Sequence, residues 1–137
     1  MQKKPIKSVI ITFLLICACH FLTAGTADSA ERPDFKELVG KWVRTDGGYT
    51  LRIRDVKQDG TVDAGYFNPK DIHIAEANVS DREGLVKLFI RFQDEGYPGS
   101  TYTLYYYAEK DALAGFYHQA TSDQTYEVIF TRTKTTN

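Results

Sequence analysis

The chain has 137 residues, with 17 Lys+Arg against 18 Asp+Glu, 13% aromatic residues, two cysteines and one tryptophan. Its length bounds it to a single domain, since domains typically hold about 100–150 residues. The formal net charge of −1 lacks the basic footprint of a nucleic-acid binder, and the aromatic content is too high for a disordered chain.

Residues 1–30 read as a secretory leader. Lys3, Lys4 and Lys7 form a positive start, an apolar run follows from Val9 to Leu22, and small and polar residues (Thr23-Ala24-Gly25-Thr26-Ala27) complete the pattern. The apolar run is 14 residues, short of the ~20 that span a bilayer. Its Lys-rich, Arg-free start points to a bacterial chain bound for the periplasm or the exterior. Cleavage after Ala27 or Ala30 is one route. The other is lipidation at Cys19, because Ile16-Cys17-Ala18-Cys19 resembles a lipoprotein box, and that anchor would be the chain's only tie to a membrane. Both cysteines, Cys17 and Cys19, lie in the leader, so the remainder is expected to have no disulfide and no thiolate chemistry. Without residues 1–30 the count is 14 positive against 17 negative, a net charge of −3.

A lead-in over 31–39 follows, with a short helical turn at Phe35–Leu38 capped by Asp34. From there the pattern is strand after strand. Eight are predicted, at about 40–46, 48–56, 61–67, 72–80, 84–93, 101–108, 112–119 and 124–133, before a polar tail at 134–137. Turn formers separate them, among them Gly47-Gly48, Gln58-Asp59-Gly60 and Gly96-Tyr97-Pro98-Gly99. Alternation puts Tyr49, Leu51 and Ile53 on one face against Arg52 and Arg54. Val86, Leu88, Ile90 and Phe92 likewise oppose Lys87 and Arg91. Strands in sequence order with tight turns describe an antiparallel up-and-down meander, and closing it into a barrel over 40–133 removes the exposed edges. Eight strands enclose just enough room for side chains or one small ligand.

Gly40-Lys41-Trp42 opens the first strand and Arg132 closes the last. This pairing resembles the signature of the calycins, the superfamily of lipocalins, fatty-acid-binding proteins and avidins. The resemblance implies a barrel in which Trp42 sits at a closed end beneath Arg132, with Gly40 as its companion. The avidin branch is most similar in size, and Gly65-Tyr66 resembles an avidin segment. Biotin binding is not implied. Arg44 stands where avidins place an asparagine, Asp46-Gly47-Gly48 replaces their loop, and the chain has one tryptophan where avidins box the ligand with several. Segments 46–49, 66–69 and 97–102 also resemble a family of secreted bacterial proteins that supplies no activity to transfer.

The remaining residues offer little catalytic pattern. His73 and His118 lack a metal-site spacing, so no metal and no cofactor is expected. Ser80, Ser100 and Ser122 fall near turns and outside any nucleophile elbow. Nine tyrosines are the surplus, and Tyr102, Tyr105, Tyr106 and Tyr107 crowd one strand. Parity places Tyr102, Leu104 and Tyr106 on one face, with Tyr105 and Tyr107 on the other. Arg44 shares parity with Trp42, so it points inward and needs a carboxylate such as Asp46 or Glu127, or a ligand anion. The leading expectation is a secreted, non-catalytic barrel that binds a small molecule at its open end through Arg44, Tyr66, Tyr106 and Tyr117. The alternative is an envelope module with a filled barrel that docks a protein or glycan on Tyr105 and Tyr107. A metal-independent isomerase or cyclase ranks third.

Overall fold

In the computed structural model, residues 35–134 are described. The expected leader, the Cys19 lipidation position, the Asp34 cap and residues 135–137 of the tail lie outside the described residues. A 3-10 turn, Phe35–Leu38, precedes nine strands: β1 Gly40–Arg44, β2 Thr50–Val56, β3 Val62–Asn68, β4 Lys70–Ile72, β5 Ile74–Arg82, β6 Leu85–Phe92, β7 Thr101–Tyr107, β8 Ala112–Gln119 and β9 Gln124–Arg132. All named pairs are antiparallel, and the sheet order is β4-β3-β2-β1-β9-β8-β7-β6-β5. The first strand therefore lies against the last, and the meander curls into a nearly closed all-β barrel, an architecture compatible with a calycin-like barrel.

Strand alternation builds the core. Leu51 and Ile53 of β2 are buried while Arg52 and Arg54 are exposed. Leu88, Ile90 and Phe92 of β6 meet Tyr102 and Leu104 of β7 in one cluster with Trp42, Leu113, Val128 and Phe130. Burying each such side chain contributes about 1.5–3 kcal/mol, which makes register the main determinant of stability.

The strand count is nine where the sequence predicts eight, because the strand expected over 72–80 is broken. Asn68 pairs with Lys70 around Pro69, a tight reversal that makes β4 a three-residue extension beside β3. At His73 the backbone N–H leaves the ladder and donates to Asp94 Oδ2 at 2.8 Å. A register shift between Ile74 and Glu76 then re-seats β5 against β6.

Closure runs between β3 and β5. Thr61 and Asn78 form one isolated bridge, and the Val79 N–H donates to the Gly60 carbonyl at 2.8 Å. Gly60 has φ +88°, and a Cβ there would lie 2.6 Å from the Val79 carbonyl oxygen. Only glycine satisfies both the left-handed backbone and this close approach.

One end of the barrel is sealed. The Trp42 indole N–H donates to the Leu38 carbonyl at 2.9 Å, so the 3-10 turn is pinned over the end. The Arg132 guanidinium carbon sits 4.1 Å from the centroid of the Trp42 ring. Arg132 Nε donates to Asp111 at 2.8 and 3.0 Å, Nη1 donates to the Val39 carbonyl at 2.6 Å, and Nη2 donates to the Glu37 carbonyl. Gly40 has φ +148°, and a Cβ there would stand 2.5 Å from Arg132 Nη1. Gly40, Trp42 and Arg132 therefore meet at this end.

Gly60→Ala is expected to lower unfolding stability by about 1–3 kcal/mol, through backbone strain and displacement of Val79. Urea unfolding checks this, and an unchanged midpoint would show that the β3–β5 contact does not support the barrel.

Candidate functional site

The opposite end is hollow. A cavity of about 310 Å³ opens there, lined by Arg44, Tyr49, Tyr66, Gly96, Tyr97, Tyr102, Tyr117, Gln119 and Tyr126. In an antiparallel meander, the ends of some strands and the starts of their neighbours share one rim. Arg44 ends β1, Tyr49 precedes β2, Tyr66 lies near the end of β3, Tyr102 near the start of β7, Tyr117 near the end of β8 and Tyr126 near the start of β9. The volume holds about ten waters at liquid density and sits at the small end of the range for ligand pockets.

Arg44 organises the floor. Its side chain is 12% exposed. Nε and Nη2 donate to the two Asp46 carboxylate oxygens at 2.5 and 2.8 Å, and Nη1 donates to the Tyr102 hydroxyl at 3.0 Å. The guanidinium carbon lies 4.1 Å from the Tyr49 ring centroid. The Tyr102 and Tyr66 hydroxyls are 2.7 Å apart. Around this chain the rings pack closely: Tyr66 against Phe92 at 4.8 Å, Tyr102 against Tyr117 at 4.9 Å and Tyr102 against Phe130 at 5.4 Å between centroids.

The 93–100 loop forms the rim. The Tyr97 hydroxyl accepts from Asn68 Nδ2 at 2.6 Å, and the Tyr97 ring packs on Phe92 at 5.9 Å. Asp94 holds the loop to His73 by the backbone contact above and by a 2.8 Å contact to His73 Nδ1. Buried Ser100 accepts the Ala120 N–H on its hydroxyl at 3.1 Å, which ties the loop to the β8–β9 turn.

The charges follow from these contacts. The hydrogen bonds that Arg44 donates to Asp46 raise the Arg44 pKa against the effect of burial, and Arg44 holds the Asp46 carboxyl below the usual carboxylate range. Burial pushes the Tyr66, Tyr102 and Tyr117 phenols above their ordinary value. The floor thus carries a neutralised ion pair and phenols that stay protonated at neutral pH.

Of the four expected ligand contacts, Arg44, Tyr66 and Tyr117 line this cavity. Tyr106 does not. It stands at the sealed end, edge-on to Trp42 at 6.0 Å between centroids, with its hydroxyl 3.3 Å from Asp111. Tyr97, from the 97–99 turn that sequence reading puts at the same mouth, also lines it, and Tyr49, Tyr102, Gln119 and Tyr126 join as residues that reading did not propose. His73 and His118 each contact their own neighbours, Asp94 and Thr125. Among the described residues, no group of three or more His, Cys, Asp or Glu side chains is placed to hold a metal ion. Compared with protein-family models, curated proteins and solved structures, the chain matches none of them.

The buried phenols set the alkaline stability. Above about pH 10 tyrosines of the unfolded chain lose their protons, while Tyr66 keeps its proton in the fold. The folded state then binds more protons, so stability falls as pH rises, by up to about 1.4 kcal/mol per pH unit for one proton. Tyr66→Phe is expected to flatten that fall in alkaline urea titrations. An unchanged slope would place the Tyr66 hydroxyl in an ordinary aqueous setting.

Proposed function

We infer that this chain is a secreted or periplasmic β-barrel that binds one small molecule at its open end. The single observation that carries the reading is the tyrosine-lined cavity of about 310 Å³ over a fixed Arg44–Tyr102–Tyr66 floor, opposite an end plugged by Trp42, Leu38 and Arg132. Flat aromatic walls with a few converging polar atoms are the usual composition of a small-molecule site. Binding suits the floor better than acid–base catalysis. A general acid or base works best with a pKa near the working pH, and burial moves these phenols further from neutrality. The leader over 1–30, with signal cleavage or lipidation at Cys19, supplies the export that the reading needs. Calycin kinship, on the avidin side, is the evolutionary setting it proposes, and Arg44 and the single tryptophan speak against biotin as the ligand.

A second reading has its own observation. The outer face of β7, β8 and β9 carries a shallow groove of about 510 Å³, lined by Tyr105, Tyr107, Ala114, Gly115, Phe116 and Ile129 among others. Tyr107, Phe116 and Ile129 are each close to half exposed. This face would serve docking to an envelope protein or glycan.

Native mass spectrometry of the chain, exported under its own leader and gently purified, tests the leading reading. A non-covalent mass lost on denaturation is expected, and Arg44→Ala is expected to reduce its occupancy at least tenfold. A bare chain whose spectrum is identical in wild type and Arg44→Ala would overturn the reading and favour the outer face.

A further inference from the structure

We propose that the open-end cavity selects a neutral, flat ring compound that offers a carbonyl oxygen to the Tyr66–Tyr102 hydroxyl pair, and that it rejects carboxylates of the same size. This rests on the small-molecule reading above and names the ligand class for that site.

The two phenols bring two hydroxyl protons and share one hydrogen bond, 2.7 Å between oxygens. Tyr102 also accepts from Arg44 Nη1 at 3.0 Å. Among the described residues neither hydroxyl has another hydrogen-bond partner. Whichever phenol donates to the other, one O–H remains without an acceptor, and both residues line the cavity. That O–H faces a cavity open to water, so an acceptor oxygen, of water in the empty site or of a bound ligand, completes it; left unpaired it would be destabilising by about 1–3 kcal/mol. The group that completes the chain Arg44→Tyr102/Tyr66 is therefore an acceptor oxygen. Its bond is strengthened by the guanidinium behind the phenols.

Arg44 is the only cationic side chain among the lining residues, and Asp46 already takes it in a two-point ion pair at 2.5 and 2.8 Å. An anionic ligand would bring a second negative charge to a neutralised floor and would lose hydration without a free counter-ion. A neutral carbonyl avoids that penalty. Tyr49, Tyr66, Tyr97, Tyr117 and Tyr126 wall a space of about ten waters, which fits a single substituted ring.

Benzamide, benzoate and toluene are three probes of similar size that differ in these terms. Their binding to the full mature chain is read from the shifts of ring signals in tyrosine-labelled protein, in the millimolar range expected for so few atoms. Benzamide is expected to bind at least tenfold more tightly than benzoate or toluene, with the largest shifts on Tyr66 and Tyr102. Asp46→Asn frees Arg44 while keeping side-chain shape, and is expected to reverse the preference toward benzoate. The double variant Tyr66→Phe with Tyr102→Phe removes both hydroxyls without removing a ring, and is expected to bring benzamide down to the affinity of toluene. Equal binding of benzamide and toluene by wild type would overturn the carbonyl assignment while leaving a ligand cavity. Benzoate binding as tightly as benzamide in wild type would overturn the charge argument. Failure of all three probes to shift any lining tyrosine would overturn the small-molecule reading itself.

Discussion

The pairing of the first strand with the last is the contact on which the rest of the molecule depends. Trp42 lies opposite Arg132 and Arg44 lies opposite Phe130 in the same antiparallel ladder. One register therefore sets both ends of the barrel. It stacks a guanidinium on the indole at the sealed end, and two residues further along β1 it delivers a second arginine to the floor of the open end. A slip of one residue would turn Trp42 and Arg44 outward together, removing the plug and the site at once. The carboxylates that hold these arginines both come from turns, Asp46 two residues from Arg44 and Asp111 at the β7–β8 turn, 21 residues before Arg132.

Sealed and hollow ends also differ in how their polar groups are satisfied. At the sealed end, the bonds of Arg132 run to backbone carbonyls and a carboxylate, and the Trp42 indole N–H is taken up by Leu38. At the open end, the polar chain runs through phenols that hold each other and still carry one spare proton. A fully paired cluster rigidifies a fold, whereas a spare donor is open to a further acceptor. The tyrosines belong both to the core and to the cavity wall. Tyr102 is wholly buried, packs against Tyr66, Phe92, Tyr117 and Phe130, and is also the acceptor for Arg44. The site is thus continuous with the core, which gives it the rigidity that loops alone would not supply.

Much of this was legible in the residues. Alternation correctly assigned the inward faces of β2, β6 and β7, because an apolar residue at every second position has one way to be buried. The meander followed from tight turn formers between short strands. The break at His73 was not legible, since it depends on Asp94, 21 residues away, taking the backbone N–H. Tyr106 illustrates a different failure. Parity alone put it inward, which is where its ring lies, but parity says nothing of height along the strand. Strand direction supplies that information: Tyr102 opens β7 and Tyr106 nearly closes it, so the two face opposite ends of the barrel. The same counting brings Tyr49 and Tyr126, at the starts of β2 and β9, to the rim beside Arg44. Gln119, the last residue of β8 and of the same parity as Tyr117, follows by that counting too, whereas Tyr97 lies in a loop whose seat on Phe92 and Asn68 depends on long-range contacts.

Diffraction from crystals of the exported protein, purified without detergent or added ligand, tests the central claim most directly. The account requires a hollow mouth, with non-protein density against the Tyr66 or Tyr102 hydroxyl and Arg44 held by Asp46. A mouth filled by the Tyr97 loop, with the phenol pair fully hydrogen-bonded to protein groups, would contradict it.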